Sequence, residues 1–478
     1  MNQELLQPFL DIVSKLKTEF ATHFDANAIE TRLQDAFNDL VVRILPPLLQ
    51  EVMDDSIVFL PTLKKIAAKH GLKFCGYRKT SVRIFSGQLL SLKSPYFTKA
   101  KSKRKSGKKR KRGPNGTGCH LALNMFGFMD KTSKNLVSNV VQLAILCPSF
   151  EIAKQVLAEQ SINLNVKTIQ RLCERLGKGA MEKRGAISLG DPPNLKEVTA
   201  LICFDGGRLR ERKRKQGKKP ASLKRQGYHT DWVEPKLLTI QFLDNNGNLI
   251  RQIPPLYDAT LGKIDDFFEL LYQYLKPLDL SKAANVVFCA DGAPGMWKRV
   301  PELMNRLNIT KWHESLDYTH AKQNLYEIIE WVPESLSEYK SNLFTYWKKF
   351  LWNGDWKSLR ASIKTAITGK HRKKALKKFD NYFNKNCSRM RYSEFKKIGL
   401  PIGSGAVESA IRRVINLRIK GAGIFWIKKM AETMLFLRSQ YLSGRWDIML
   451  KNTIRDSRAH LLDYLQLTRD GGGLGQIP

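Results

Sequence analysis

The chain has no pair of cysteines at metal-binding spacing. Its seven cysteines (Cys75, Cys119, Cys147, Cys173, Cys203, Cys289 and Cys387) stand singly, without any C-x-x-C. That pattern argues against a structural zinc module, and Cys119-His120 alone supplies too few ligands for one. Most of these thiols lie in apolar runs, where cysteine behaves as a small hydrophobe, so reduced and buried is the expectation. Apolar runs approaching 18 residues are also missing, as are lipidation motifs, which argues against a membrane protein. Met1-Asn-Gln-Glu-Leu5 lacks the basic n-region of a secretion signal, so a cytoplasmic, nucleoid-associated location is expected. Acidic residues are scarce: 44 Asp+Glu against 81 Lys+Arg leave a net charge of +37. A chain of that charge needs a polyanionic partner, and with no membrane signal nucleic acid is the natural one. The 478 residues, 42% of them hydrophobic, suffice for two to four domains.

Residues 1–75 read as an N-terminal helical region. Leu5, Leu6, Phe9, Leu10, Val13 and Leu16 recur three and four apart, Asp25 can cap a second helix, and Pro46-Pro47 is expected to break or kink it. This region reads as a packing or self-association module. Residues 76–133 read as a basic arm or linker, because ten of the fourteen residues from Lys99 to Arg112 are Lys or Arg and cannot bury a core. Lys103, Arg104, Lys105, Lys108, Lys109 and Arg110 are expected to lie along phosphates, giving affinity without sequence specificity.

Residues 134–180 have helix-turn-helix character. One helix runs from about Leu136 to Leu146 and stops at Pro148. Ser149 caps the next, with Ile152, Ala153, Val156 and Leu157 on one face. A third turns Ile169, Leu172, Cys173 and Leu176 inward and Lys167, Gln170, Arg171 and Arg175 outward, the layout of a recognition helix. An inert three-helix bundle is the plain alternative.

After Asp191-Pro-Pro193 the pattern turns to strands: 199–205, 236–243 and 248–253, with Asp244-Asn-Asn-Gly247 as a hairpin turn, then a helix over 261–275 and a buried strand over 285–290. A second basic block, Arg208–Arg225, reads as a loop overhanging Asp205. From 321 to 398 the pattern is helical and rich in tryptophan (Trp331, Trp347, Trp352, Trp356), read as packing residues of an all-helical insertion. The order matches an α/β RNase H-like catalytic core, over 195–320 and 399–450, interrupted by that insertion and preceded by the helical and helix-turn-helix domains. Residues 451–478 form a C-terminal tail.

Three acids sit where such a core can use them. Asp205 ends the apolar run 199–204 before Gly206-Gly207, Asp291 ends the run 285–290 before Gly292, and Glu408 follows the turn Gly403-Ser-Gly405 on a helix-patterned stretch. Phosphodiester attack needs an activated nucleophile and a stabilised leaving oxygen, which two Mg²⁺ ions about 3.5–4 Å apart supply together. Mg²⁺ binds carboxylates and keeps waters, so few protein ligands are needed. Arg412, Arg413, Arg418 and Lys420 can grip flanking phosphates, as can Arg208, Arg210 and Arg212. Singly, each Asp-Gly is an ordinary turn and Glu408 an ion-pair partner of Arg412. Asp317-Tyr-Thr-His320 follows the second acid as a possible accessory pair, or as a helix cap and a structural histidine.

Phe204-Asp-Gly-Gly207, Ala290-Asp-Gly-Ala293, Leu316-Asp-Tyr-Thr-His320, Gly403-Ser-Gly-Ala-Val-Glu408 and 418–426 carry a resemblance over roughly 136–450. With them the chain resembles the DDE-type transposases of bacterial insertion sequences, the subgroup with a Gly-Ser-Gly-x-Val-Glu motif. Gly207 departs from it, since a larger residue is the more usual one there. The resemblance implies Asp205, Asp291 and Glu408 as the catalytic, metal-binding triad, with two Mg²⁺ ions (Mn²⁺ able to substitute). It implies double-stranded DNA as partner, namely terminal inverted repeats and target. The expected reaction is water-driven nicking followed by attack of the freed 3′ hydroxyl, in a homodimer or larger assembly. A catalytically inactive DNA-binding derivative and a metal-dependent nuclease without strand transfer are the alternatives.

Overall fold

The structure is a computed structural model and describes residues 3–21, 26–99, 118–184, 195–218, 226–292 and 294–455. The basic stretch holding Lys103, Arg104, Lys105, Lys108, Lys109 and Arg110, the Asp191-Pro-Pro193 boundary and the end of the C-terminal tail lie outside the described residues. The chain divides into two compact units, 1–176 with 450–478, and 177–449. No helix of the described residues is long and apolar enough to cross a membrane.

The first unit begins with helices Gln3–Phe20, Ala26–Asp54 and Phe59–Lys69. Pro46 and Pro47 stay inside the second helix, contrary to the expected break. Each removes a backbone donor, but Val42, Leu45 and Leu49 around them pack against the unit's core and hold the helix across the gap. An antiparallel sheet follows, β1 (Leu72–Arg83), β2 (Leu89–Lys99) and β3 (Gly118–Cys119), where a linker was expected from residue 76. Val82, Leu90, Leu92 and Phe97 are buried with Phe59 and Leu63. Lys79, Arg83 and Lys93 alternate onto the other face, so the composition resembles a linker while the alternation makes a half-buried sheet.

Helices Lys134–Leu146, Phe150–Glu159 and Val166–Met181 follow. Ser133, Ser149 and Asn165 accept from backbone N–H groups of their first turns. Ile169, Leu172, Cys173 and Leu176 are buried, while Ile152 is exposed rather than sharing the inner face of Ala153 and Leu157.

The second unit is built on five strands: β4 (Thr199–Gly206), β7 (Lys236–Leu243), β8 (Leu256–Thr260), β9 (Asn285–Ala290) and β10 (His313–Leu316). Their order is β10-β9-β4-β7-β8. β10, β9 and β4 run parallel, while β7 and β8 pair antiparallel on the other side of β4. This mixed sheet is compatible with an RNase H-like core. The expected strand over 248–253 shrinks to a short return, in which Leu249 bridges Leu243 and the Ile250 N–H donates to the Phe242 carbonyl at 2.9 Å; the third strand starts at Leu256, after Pro254-Pro255, which cannot donate to a ladder. β5 (Leu209–Arg214) and β6 (Tyr228–Val233) form a separate antiparallel ribbon, so the second basic block is not simply a loop.

Helix Ile264–Leu275 covers one sheet face, its Phe267, Phe268 and Leu271 packed with Ala200, Ile202, Phe204, Phe288 and Ala290. Helices Tyr318–Ile329, Lys340–Asn353, Trp356–Ala366 and Gly369–Phe379 have a core of their own. Trp347 is fully buried there and donates to Ser362 Oγ at 2.8 Å, while Trp331, Trp352 and Trp356 pack half-buried against the same core.

Candidate metal centre

Register brings the acids together. Cys203 of β4 pairs with Cys289 of β9, so two residues further on Asp205 and Asp291 stand level. Leu316 of β10 pairs with Ala290, so Asp317 stands level with Asp291, and its N–H donates to the Ala290 carbonyl at 2.9 Å. Neighbouring strands lie about 4.8 Å apart. Three carboxylates therefore stand at the C-terminal ends of three adjacent parallel strands, the edge at which α/β sheets open to ligands.

Alternation then selects the face. Ala200, Ile202 and Phe204 point to helix Ile264–Leu275, so Leu201, Cys203 and Asp205 point to the opposite side. Helix Gly405–Ile411 packs on β4 and β7, with Val407 and Ala410 buried and Glu408 exposed. Ser404, just before that helix, donates to Asp317 Oδ2 from its backbone N–H at 2.5 Å and from its hydroxyl. Asp317 Oδ1 accepts the His320 N–H at 2.9 Å, capping helix Tyr318–Ile329. One buried carboxylate thus ties the histidine turn to the glutamate helix.

Ligand atoms of Asp317, His320 and Glu408 lie within 4.8 Å of one another and can hold a metal ion. His320 Nδ1 is buried without a hydrogen-bond partner, 3.6 Å from Asp317 Oδ1, and the remaining donors are hard carboxylate oxygens. Such a set suits a divalent cation. Asp317 is mostly spent as a bracket, whereas Glu408 and His320 keep ligand atoms in hand.

The electrostatics match a site of crowded negative charge. Burial pushes the Asp205 carboxyl up to about 6; Asp291 and Glu408 push the same way, against the Gly206 N–H that donates to it at 2.6 Å. Burial opposes ionisation of Asp317 too, but the hydrogen bonds from His320 and Ser404 outweigh it and hold that group well below the usual carboxylate range. The Asp317 carboxylate raises His320, and Asp205 and Asp291 add to it against desolvation. These mutual effects bring Asp205, Asp291, Asp317, His320 and Glu408 into one electrostatic neighbourhood.

Two glycines permit close approaches around it. A Cβ on Gly207 would press on the Ile415 Cδ1 methyl, so a larger residue there would need the Ile415 side chain to shift. A Cβ on Gly292 would lie 2.6 Å from the Tyr382 ring of the helical insertion. Trp297 donates to the Asp291 carbonyl at 2.8 Å, and Arg389 lies 4.8 Å over the Trp297 ring while pairing with Glu314 at 2.5 Å. The insertion therefore braces the turn that carries Asp291.

The basic residues named from sequence divide by environment. Arg208, Arg212, Arg412 and Lys420 are exposed. Arg210 is half-buried and donates to the Gly421 carbonyl at 3.1 Å. Arg413 and Arg418 were expected at phosphates, but the structure gives them packing roles. Arg413 donates to the Tyr257 hydroxyl at 2.5 Å, and Arg418, 3% exposed, lies 5.2 Å over the Trp426 ring. In the first unit Lys167 is exposed, and Arg171 is exposed and paired with Asp130 at 3.3 Å. Sequence reasoning missed Ser404, Trp297, Tyr382 and the exposed Tyr228 and Trp232. Arginine at 208, 210, 212 and 214 alternates with period two and signals a strand where a loop was read.

No family model matches the chain, and no curated protein matches it. Among solved structures, one titled "Drosophila P element transposase strand transfer complex" is similar over 71% of this chain and 87% of that chain. The identity is 12% and the TM-score 0.25.

Proposed function

We propose that this chain is a DDE-type transposase that cuts and rejoins DNA with Asp205, Asp291 and Glu408 as its catalytic carboxylates. The observation carrying this reading is the level alignment of Asp205 and Asp291 on adjacent parallel strands, with Glu408 in the same electrostatic neighbourhood. The five-strand order, compatible with an RNase H-like core, and the net charge of +37 support it.

In this reading Asp205, Asp291 and Glu408 would hold two Mg²⁺ ions, with His320 beside them. When bound, the pair supplies an activated attacking oxygen and a stabilised leaving oxygen. Asp317 fixes Ser404 and the first turn of helix Tyr318–Ile329, setting where Glu408 and His320 stand. Its negative charge favours the protonated imidazole before a cation arrives. Arg208, Arg212, Arg412 and Lys420 neutralise phosphates on either side of the cut, while the exposed basic face of helix Val166–Met181 adds duplex affinity. Joining two ends calls for a dimer or larger assembly.

The test is a strand-transfer reaction on duplexes carrying the inverted repeats that flank the coding region, with Mg²⁺. Joined product that disappears in Asp205→Ala supports the transposase. Cleavage without joining makes the protein a nuclease, and binding without any product makes it a catalytically inactive DNA-binding protein.

A further inference from the structure

The ribbon formed by β5 and β6 has two chemically different faces. Arg210 pairs with Trp232, Arg212 with Thr230 and Arg214 with Tyr228, while Glu211 pairs with Asp231 and Lys213 with His229. Paired residues share a face and successive residues alternate. One face therefore carries Arg210, Arg212, Arg214, Tyr228, Thr230 and Trp232, with three cations, two large aromatics and no acid. The other carries both acids, and Lys213 is spent on them, 3.6 Å from Glu211 and 3.0 Å from Asp231. Side-chain contacts agree with this sorting: Arg210 lies 5.3 Å over Trp232 and Arg212 lies 5.9 Å over Tyr228.

The ribbon is anchored at one end. The Arg212 N–H donates to the Trp426 carbonyl at 2.8 Å, the Trp426 N–H donates to the Arg210 carbonyl at 2.9 Å, and Leu209 is buried. Arg210, held between Trp232 and Phe425 at 4.9 Å, steadies the indole from one side. Trp232 is nonetheless 57% exposed and Tyr228 45% exposed, and Arg212 and Arg214 are exposed beyond them. Two large aromatics thus stand half in solvent among arginines, Tyr228 with one neighbouring ring, Phe425 at 5.9 Å, leaving ring surface open to a ligand. Carboxylates would use the arginines and leave the rings idle. A nucleic-acid strand uses both, since phosphates take the guanidinium groups and unpaired bases stack on the rings.

We propose that this face binds a nucleic-acid strand with unpaired bases, an exposed base stacking on Trp232 and flanking phosphates lying against Arg212 and Arg214. The inference rests on the reading that the chain acts on DNA, and it gives the ribbon the task of holding the strand opened beside the cut. Asp205 lies only four residues before β5 begins, so the strand so held would lie next to the carboxylates.

The test is fluorescence anisotropy of the full chain in EDTA, with a labelled thymidine oligonucleotide of about 20 nucleotides and a duplex of equal length as probes, across salt concentrations. Trp232→Ala should weaken single-strand binding roughly tenfold with an unchanged salt slope, and duplex binding much less. Trp232→Phe should restore most of the loss. Arg212→Ala with Arg214→Ala should lower the single-strand salt slope by about 1.4, since each phosphate contact contributes about 0.7. His229→Ala, on the opposite face, should bind as the parent does. The proposal is overturned if Trp232→Ala binds the single strand as tightly as the parent, or loses both probes equally. It is also overturned if a polyglutamate peptide competes as well as the oligonucleotide, which would mark the face as an acidic-protein site. Because EDTA removes divalent metal from the binding assay, its outcome is separate from catalysis: ribbon binding with no cleavage in the separate Mg²⁺ reaction would sink the transposase reading alone, and Mg²⁺-dependent cleavage with ribbon variants that bind normally would sink this proposal alone.

Discussion

The carboxylate of Asp317 accepts both the backbone N–H and the hydroxyl of Ser404, 87 residues away in sequence. It ties the end of β10 to the Gly-Ser-Gly turn before Glu408, across the whole helical insertion. The Tyr318 N–H, donating to the Ile402 carbonyl at 3.0 Å, reinforces it.

Removing the hydroxyl with Ser404→Ala should therefore cost about 1.5–3 kcal/mol of stability, as for a buried hydrogen bond to a charged group. It should also reduce cleavage more than this loss of folded protein explains. Denaturant titration alongside a Mg²⁺-dependent nicking assay checks both. Activity that tracks the folded fraction alone would make the tether purely structural.

Asp205 sets a pH dependence. Its carboxyl titrates at about 6 in the folded protein, above its ordinary value of 3.8, so the folded state binds the proton more tightly than the unfolded chain. Its contribution to stability is fully present below about pH 4 and is lost as pH rises to about 6. In EDTA, the stability difference between the parent and Asp205→Asn should shift against the parent across that window. Divalent-cation affinity should run the other way, rising through pH 6 as the proton stops competing. Isothermal titration with Mn²⁺ at several pH values measures it, and a flat profile would contradict the assignment.

Gly292 has no room for a side chain. Gly292→Ala should cost about 1–3 kcal/mol by driving a methyl group into the Tyr382 ring, and should displace the Asp291 turn. Adding Tyr382→Leu should recover part of the stability. Thermal melts of the single and double variants decide the point.

Asp258 is buried, paired with Arg184 at 3.1 Å and accepting from the Tyr274 hydroxyl at 2.9 Å. Asp258→Ala strands a nearly buried guanidinium and should destabilise the second unit by about 3–5 kcal/mol. Chemical denaturation reads this directly. A neutral result would mean that Glu432, 3.8 Å from Arg184, compensates.

The four basic residues after Glu408 should separate into two classes. Arg412→Ala and Lys420→Ala should weaken DNA binding with little effect on melting temperature. Arg413→Ala and Arg418→Ala should lower melting temperature, because these two guanidinium groups pack on Tyr257 and Trp426. Melting curves and DNA titrations of all four variants make the comparison.

Local chemistry was legible in the chain itself. Continuous apolar runs ending in Asp-Gly located β4 and β9, and serine and apolar periodicity located helices Lys134–Leu146 and Phe150–Glu159. The helical insertion was readable from its pattern, because a helix and its caps are properties of neighbouring residues. Strands β1 and β2 were not, since their charged faces disguise an alternation that only a packed partner makes meaningful.

What folding alone decided is relational. No spacing in the sequence states that residues 205, 291 and 317 share one level, because strand register is set by pairing between distant segments. Nor does composition distinguish Arg412, in solvent, from Arg418 beneath an indole, since burial depends on what the opposite segment brings. The sequence by itself determined the charge, most helices, the buried strands β4 and β9, and the candidate acids. The tertiary structure decided which acids are neighbours, which cations remain free to meet phosphate, and which face of the ribbon is basic.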